Sequence, residues 1–431
     1  MTAAQAAVIG GGLSGALQAI HLLREGARRV VLIERARIPG RGVAYGTDRP
    51  EHLLNVPARR MSAFPDEPDH FVCWYAERGG TAEDFAPRML FGDYVVALLG
   101  EAGAGLEIVR GEAVDVDGAD VVLADGRRIA AETVVLAPGN LPPATPRGID
   151  PEALGELWIG DPWAGATAEG LGEGDTILLI GTGLTAIDAA LTLEANGFGG
   201  RILALSRRGL VPRAHGLREP TTAPQEALPA HCIGLLRRVR RRSEEIGWRS
   251  AVHELRNVTQ RIWAEAPVAE RRRFLRHLRP WWDVHRHKIA PAVAATISRM
   301  QAGGRLQFAA GRILSIGADG AVRWRRRGGD AAETLHVSRI VNCTGPEHDI
   351  VRAGEPLLDA LIARGRIRPD PLRIGLDVDR DCHTLHAVGA PCESLYAIGP
   401  VTRATFWESV AVPDIRVQAQ AVARHILRSA S

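Results

Sequence analysis

An apolar strand that runs into a glycine-rich turn and continues as a helix is the feature that constrains this chain most. Residues 6–9 form the strand, and a helical stretch follows to about Glu25. The turn between them has the GxGxxG pattern, and its residues of interest are Gly10, Gly12, Leu13, Ser14 and Gly15. Such a turn aims free backbone N–H groups and the positive end of the helix at a pyrophosphate. We therefore predict a dinucleotide-binding unit here, with these five residues against the nucleotide.

The next strand, residues 29–34, ends on an acidic residue. Glu34 stands 34 − 15 = 19 residues after the third glycine, close to the spacing of about 20 at which an acid holds a ribose hydroxyl. The alternative is an ordinary glycine-rich turn of an α/β protein, with Glu34 at a surface strand end. The strand, turn, helix and acid together favour the nucleotide site.

A second unit of the same kind begins at residues 176–180. Its turn carries Gly181, Gly183, Leu184 and Thr185, with Ala186 in the third glycine position. Its second strand, residues 201–205, is followed by Ser206, Arg207 and Arg208 instead of an acid. Guanidinium groups at this position suit a 2′-phosphate, so the expected ligand is NADPH. The alternative is a solvated loop after the strand.

These units predict an α/β protein with two Rossmann-like domains. Proline residues after the strand at 133–136 mark a boundary. We expect a first part of one domain at 1–150, a second domain at 151–340, and a return to the first domain at 341–431. A helical, charged, tryptophan-bearing insertion at about 222–302 is expected to pack on one domain. Residues 106–122 are expected to form a small hairpin region.

Composition excludes several classes of function. A formal net charge of +3 in 431 residues argues against nucleic-acid binding. The five cysteines show neither metal-ligand nor CxxC spacing, so no metal and no redox disulfide are expected. The sequence has no secretory signal and no long apolar run, which predicts a cytoplasmic protein without membrane contact. The oligomeric state is left open.

Several stretches together resemble a known family. They are GVAYGT (42–47), HLLNVPARRMSAFPD (52–66), LLIGTGLTAID (178–188), ALSRRGLVPRAHG (204–216), RHLRPWWDVHRHKIAP (276–291), NCTGP (342–346) and YAIGPVTRATFWESVAVPDIR (396–416). As a set they resemble the FAD/NAD(P)-binding protein family, a relative of the class B flavin monooxygenases that include amine N-hydroxylating enzymes. The chain lacks the FxGxxxHxxxW string of Baeyer–Villiger monooxygenases, and residues 157–165 read LWIGDPWAG there.

The resemblance implies an FAD domain interrupted by an NADPH domain. It places Arg41, Gly42 and the stretch 55–62, with Asn55, Met61 and Ser62, near the flavin ring. It also places Val114 near the adenine and Gly399 and Pro400 beside the ribityl chain. We add Ala137, Pro138 and Gly139, on which the strand at 133–136 closes, to the expected FAD-binding residues.

The segment PWWDVHRH (280–287) could supply catalytic residues. A helix opened by Pro280 would set Trp281 over His285 and Trp282 over Arg286. His285 and Arg286 could then face a substrate carboxylate or the nicotinamide; the alternative is a structural aromatic and cationic cluster. Residues 405–408, TFWE, could wall a pocket or only pack. The arginine run at 237–242 is interpreted as a solvated helix face.

The expected activity is that of an NADPH-dependent monooxygenase that forms a peroxyflavin and oxygenates a small nucleophilic nitrogen or sulfur substrate with O₂. In such enzymes the cofactor supplies the chemistry, and the protein aligns the reactants and excludes water. Two alternatives stay open: an NADPH:acceptor reductase without oxygen insertion, and a non-catalytic nucleotide-binding scaffold. The substrate is not readable from the sequence.

Overall fold

The computed structural model describes residues 3–163, 167–216 and 228–429. Residues 164–165 of the LWIGDPWAG stretch and 222–227 of the expected insertion lie outside these ranges. Strands β1 to β16 span Ala4–Ile9, Val30–Glu34, Leu106–Arg110, Ala113–Asp117, Asp120–Leu123, Arg128–Ile129, Ala131–Leu136, Trp158–Ile159, Thr176–Ile180, Arg201–Ser206, Leu306–Ile316, Ala321–Arg326, Ala332–His336, Arg339–Asn342, His383–Leu385 and Pro391–Ala397. Helices α1 to α13 span Leu13–Arg24, Gly42–Tyr45, His70–Ala76, Arg88–Glu101, Pro151–Leu154, Leu184–Ala195, Cys232–His253, Thr259–Glu265, Val268–His277, Arg279–Arg286, Pro291–Ala302, Pro356–Ala363 and Val412–Ser429.

The first sheet has the order β15-β16-β7-β1-β2-β3. β1 lies between β7 and β2 and runs parallel to both, and β16 adds to β7 in parallel from the far end of the chain. All six strands of this sheet come from residues 4–136 and 383–397, and the domain boundaries expected at 150 and 341 stay a prediction. The hairpin expected at 106–122 was wrong in one respect: β3 pairs in parallel with β2, and only β4 and β5 form an antiparallel hairpin. β3 shares the register of β2 up to Glu34 and Arg110, so it extends the parallel sheet.

The second sheet has the order β13-β12-β11-β10-β9-β14-β8. Its centre, β10, β9 and β14, is parallel, and β11, β12 and β13 form an antiparallel meander at one edge. All of its strands come from residues 158–342, so β14 (Arg339–Asn342) crosses the boundary expected between residues 340 and 341. Helices α6 and α11 cover one face with buried apolar side chains, among them Ile187, Ile297 and Met300. The fold class predicted from the two strand-turn-helix units is confirmed.

The first sheet is covered on both faces, as a parallel sheet requires. Helices α1, α4 and α13 bury one face together with an aromatic group of Phe71, Phe91 and Tyr94. The other face packs on the β4-β5 hairpin and on α12 through Leu357 and Leu361. The β1 and β2 strands can therefore be apolar except at Gln5 and Glu34. Within the described ranges, no helix has both the length and the apolarity needed to cross a bilayer.

The helical insertion contacts both domains, and the expectation that it packs on one was wrong. Its last helix, α11, packs on the second sheet. Its middle part reaches the C-terminal segment of the first domain, where the Trp263 indole N–H donates to the Ala404 carbonyl at 2.8 Å. Trp263 also stacks on Trp407, with ring centroids 4.4 Å apart. The large apolar area of these indoles is buried only where the two surfaces meet, and the insertion therefore joins the domains.

Candidate functional site: two nucleotide-binding turns

The first glycine-rich turn approaches the neighbouring strand so closely that a side chain cannot fit. Gly10 has φ +98°, and a Cβ there would lie 2.3 Å from the Ala137 carbonyl oxygen. A Cβ at Gly15 would lie 1.8 Å from the Gly10 carbonyl oxygen. Glycine is required at both positions, by conformation at the first and by space at both. The turn thereby brings Ala137, and Pro138 and Gly139 after it, beside the start of α1.

Glu34 closes this turn from the end of β2. Its carboxylate accepts hydrogen bonds from the Gly11 N–H and the Ala36 N–H, both at 2.6 Å. Gly42 lies against the same turn, because a Cβ there would be 3.0 Å from the Gly12 Cα. An N–H donor set, a helix N-terminus and a fixed carboxylate are what the pyrophosphate and ribose of a dinucleotide need. These residues therefore fit the adenosine half of FAD.

The C-terminal segment completes the same site. A Cβ at Gly399 would lie 2.3 Å from the Ser14 Oγ, so the turn after β16 touches the first turn directly. The Gly399 N–H donates to Gln418 Oε1 at 2.9 Å, and its carbonyl accepts from Thr402 and Ser409. Pro400 follows in this fixed turn. The structure thus joins residues nearly 400 positions apart at one place.

Three of the residues expected near the flavin ring, Arg41, Met61 and Ser62, are held by contacts within the protein. Arg41 pairs with Asp93, and its Nε is buried with no hydrogen-bond partner. Met61 and Ser62 are buried, and the Ser62 hydroxyl donates to the Glu67 carbonyl at 2.6 Å. The proximity of Arg41, Met61 and Ser62 to a flavin ring stays a prediction.

Val114 lies half-buried in β4, on a hairpin whose Gly111 N–H donates to the Glu34 carbonyl at 3.0 Å. The hairpin with the expected adenine contact is therefore anchored at the acid that closes the first unit.

The second turn repeats the first with different side chains. Gly181 has φ +133°, and a Cβ there would lie 2.1 Å from the Cys343 carbonyl oxygen, as at Gly10. Ser206 stands at the end of β10 where Glu34 ends β2, and its hydroxyl lies 2.8 Å from that of Thr182. Gly183 is exposed, and Leu184 and Thr185 after it begin α6. The turn has the geometry of a second pyrophosphate site without a carboxylate.

The two arginines after β10 lie at the mouth of this turn. Arg207 is exposed, and Arg208 is half-buried and donates only weakly, at 3.4 Å, to the Arg276 carbonyl. Among the described residues, neither guanidinium group forms an ion pair with a carboxylate. In the first unit, by contrast, the corresponding Arg35 is paired with Glu355 and Glu112. The charge of Arg207 and Arg208 is therefore available to an anionic ligand such as a 2′-phosphate.

Buried polar contacts hold the two domains face to face. Arg88, at the start of α4, makes a two-point ion pair with Asp188 of α6, with both N–O distances 2.9 Å. His52 lies 3.1 Å from the Asp188 carbonyl, and burial lowers its pKa. His215 lies 2.9 Å from the carbonyl of Asn55, one of the expected flavin contacts. The neutral and paired groups at this interface fix the orientation of one turn toward the other.

The two expected catalytic residues have structural contacts. Arg286 pairs with Glu408 at 2.8 Å, and both side chains are at most 10% exposed. The Trp282 indole donates to the same carboxylate at 3.0 Å. His285 faces Trp248, with ring centroids 6.5 Å apart, and its Nδ1 is buried without a partner. Burial, followed by Arg213 and Lys288, lowers the pKa of His285.

These contacts favour the structural interpretation of PWWDVHRH. Pro280 lies in the first turn of α10, as expected. The stacking expected of Trp281 on His285 and of Trp282 on Arg286 is not among the described contacts. His285 faces Trp248 instead, and Trp282 and Arg286 both contact Glu408 of the C-terminal segment. TFWE likewise packs, through Trp407 and Glu408. The arginine run at 237–242 includes Arg242, which pairs with the exposed Glu245 and with the buried Glu254.

Sequence reasoning missed the residues that connect the parts of the site. Gln418 fixes the Gly399 turn, and Arg88 and Asp188 join the domains. Asp188 stands in the LLIGTGLTAID stretch. An acid among the apolar residues of that stretch was a signal that a buried partner for it exists elsewhere in the chain. Gln418 and Arg88 carry no such local signal. Among the described residues, no group of three His, Cys, Asp or Glu side chains is arranged for a metal ion.

Comparison with known proteins supports this architecture. Residues 7–141 match the model of the FAD-NAD(P)-binding family. No curated protein sequence matches the chain. Ornithine N-hydroxylase of Kutzneria sp. 744 is 16% identical with a TM-score of 0.66, and each chain is covered over 100%. L-lysine 6-monooxygenase of Pseudomonas syringae is 16% identical with a TM-score of 0.68, over 99% of this chain and 100% of that one.

A reductase has the same fold. Bacillithiol disulfide reductase of Staphylococcus aureus is 14% identical with a TM-score of 0.61, over 100% of both chains. At these identities the likeness shows the fold. Residues 7–141 therefore match the FAD-NAD(P)-binding family model, and the chain shares its fold with the ornithine and lysine enzymes and with this reductase.

Proposed function

We propose that this protein is an NADPH-dependent, FAD-containing monooxygenase that oxygenates a nucleophilic nitrogen or sulfur atom of a small molecule. The observation that carries the proposal is the contrast between two otherwise equal turns. Glu34 closes the first, whereas Ser206, Arg207 and Arg208 follow the second. Two different nucleotides explain this contrast, and electron transfer between them explains their presence in one chain.

The described residues would divide the work as follows. The Gly10 turn would bind the FAD pyrophosphate, Glu34 its ribose, and the Gly399 turn its ribityl chain. The Gly181 turn would bind the NADPH pyrophosphate, and Arg207 and Arg208 would select the 2′-phosphate. Bound FAD supplies hydride acceptance and the activation of O₂. The chain's own part is to orient the two nucleotides and to keep water out.

The domain interface supports the orienting role. The Arg88–Asp188 pair is buried on both sides, with side-chain exposures of 15% and 6%. Breaking a buried pair costs about 3–5 kcal/mol, so the pair resists sliding of one turn past the other. The insertion covers the C-terminal segment through Trp263 and Trp407, which excludes water from that side. No acid or base is assigned to the reaction; His285 and Arg286 remain proposed catalytic residues, although their contacts favour a structural role.

Small-molecule amines are the first substrates to test, because the ornithine, lysine and cadaverine enzymes have this fold. The reaction consumes one NADPH, one proton and one O₂ for each oxygenated product and each water. A cytoplasmic location and the absence of nucleic-acid partners remain predictions of the sequence.

The test is the ratio of NADPH consumed to hydrogen peroxide released by the FAD-loaded protein. L-ornithine, L-lysine, cadaverine and a thioether such as L-methionine are added in turn, with FAD-free protein as the control. We expect at least one candidate to lower the peroxide yield and to appear as an oxygenated product by mass spectrometry. Peroxide equal to NADPH with every candidate, together with stimulation by quinones, would identify an NADPH:acceptor reductase instead. Flavin that stays yellow after anaerobic NADPH would identify a scaffold.

A further inference from the structure

A third arginine, from the helical insertion, lies beside the pair that follows β10. Arg208 Nη2 donates to the carbonyl oxygen of Arg276, in the last turn of α9, at 3.4 Å. The C=O and Cα–C bonds of Arg276 together add at most about 2.8 Å to this distance, so its Cα lies within roughly 6 Å of that nitrogen. An extended arginine side chain spans a comparable distance. The Arg276 guanidinium can therefore reach an anion that is bound to Arg208.

Solvent gives direct access to this group of arginines. Arg207 and Arg276 are both exposed, and Arg208 is half-buried between them and the strand end. Over the described ranges, none of the three guanidinium groups pairs with a carboxylate, and the 3.4 Å contact to a neutral carbonyl is their one side-chain hydrogen bond. Their charge is therefore not neutralised by the part of the chain that the structure describes.

The other arginines of α9 have partners within the protein. Arg271 and Arg272 donate to backbone carbonyls, and Arg273 pairs with Glu270 of the same helix. Arg276 also stands in the last turn of α9, where a basic side chain offsets the negative end of the helix dipole. That role changes the stability of the helix, whereas a role in binding changes the discrimination between nucleotides.

We propose that Arg276 is a third residue of the 2′-phosphate site for NADPH, so that the insertion takes part in selecting this nucleotide. The inference rests on the proposed NADPH site at the Gly181 turn and adds to it a residue that stands 68 positions after Arg208. A phosphate monoester carries close to two negative charges and three acceptor oxygens. Such a group can accept charge-assisted hydrogen bonds from more than one guanidinium group.

The test is isothermal titration of the FAD-loaded protein with adenosine 2′,5′-bisphosphate and with 5′-AMP, which lacks the 2′-phosphate. The ratio of the two dissociation constants isolates the contribution of that phosphate. We expect the wild-type protein to prefer the bisphosphate about tenfold or more, and Arg276→Gln to lower this preference about threefold or more with 5′-AMP binding unchanged. Arg428→Gln is the matched control and should keep the preference, because Arg428 is also exposed in the last turn of a helix but belongs to α13.

A charge series at Arg276 separates binding from a folding defect. Arg276→Lys should retain most of the preference for the bisphosphate, and Arg276→Glu should lower it below that of Arg276→Gln. The inference is overturned if the Gln and Glu variants keep the wild-type preference. It is also overturned if they weaken the binding of both nucleotides equally, which would show a structural role for Arg276. Wild-type protein that binds both nucleotides equally would instead overturn the NADPH site itself, and this inference with it.

Discussion

Replacing Arg286 by Met separates a structural from a catalytic role for PWWDVHRH. The substitution keeps the apolar stem of the side chain and removes the guanidinium that pairs with Glu408 at 2.8 and 2.9 Å. The Glu408 carboxylate, whose side chain is 7% exposed, then keeps the hydrogen bond from the Trp282 indole but no longer has a cation beside it. An uncompensated charge is buried where the insertion meets the first domain.

The expected magnitude follows from that burial. Removing one partner of a buried ion pair costs about 3–5 kcal/mol, whereas replacing both by apolar residues is near neutral. Arg286→Met should therefore destabilise the protein by about 3–5 kcal/mol, and Arg286→Met/Glu408→Met should recover most of that loss. Urea unfolding followed by tryptophan fluorescence measures both, since Trp263, Trp282 and Trp407 lie at this contact.

Steady-state NADPH oxidation of the folded variants completes the test. If the pair is structural, the double variant retains most of the wild-type rate. The reasoning is refuted if Arg286→Met keeps wild-type stability, or if the double variant is stable and yet has lost NADPH oxidation, because Arg286 would then act on the reactants.

Three further outcomes follow from the structure. Gly10→Ala should yield protein that does not retain FAD, and Gly181→Ala should retain FAD but raise the KM for NADPH about tenfold or more, because each new Cβ meets a backbone carbonyl. Gly100→Ala is the control, since a Cβ there meets nothing within 4 Å. Arg88→Met should lower stability by about 3–5 kcal/mol and slow anaerobic flavin reduction, and an unchanged reduction rate would show that the pair does not align the domains. Burial lowers the pKa of His21 from 6.5 to about 4. As the pH falls, His21 is therefore protonated in the unfolded protein before it is protonated in the folded one, and the free energy of unfolding should fall by about 3 kcal/mol between pH 6.5 and about 4. His21→Gln should lack that part of the pH dependence in urea titrations, and identical slopes for the two proteins would contradict it.

The sequence predicted the two nucleotide-binding units because each depends on contacts within a short stretch. Gly10 and Gly181 need positive φ, and the apolar strands before them need burial on both faces. Both requirements are visible within a short stretch of sequence, as glycine in the turn and as consecutive apolar residues in the strand. The pairing of β3 was harder to predict from the sequence. Residues 106–110 alternate like a hairpin strand, but they pair with β2, about 75 residues earlier.

The contacts of the insertion could not be predicted. The spacing in PWWDVHRH indicated a helix but not which surface it meets, and that surface, around Glu408, lies 122 residues from Arg286. The same holds for the buried pair of Arg88 and Asp188, which lie 100 residues apart in the sequence. Long-range packing brings these charged groups together, so no pattern within a short stretch of sequence predicts their contact.

Anaerobic reduction of the purified protein by NADPH and by NADH tests the central claim most directly. The account predicts a yellow protein that retains FAD, a preference for NADPH of about tenfold or more from its contacts with Arg207 and Arg208, and near loss of that preference in Arg207→Gln/Arg208→Gln with FAD still bound. A colourless protein that does not retain added FAD, or a double variant with unchanged preference, would contradict it.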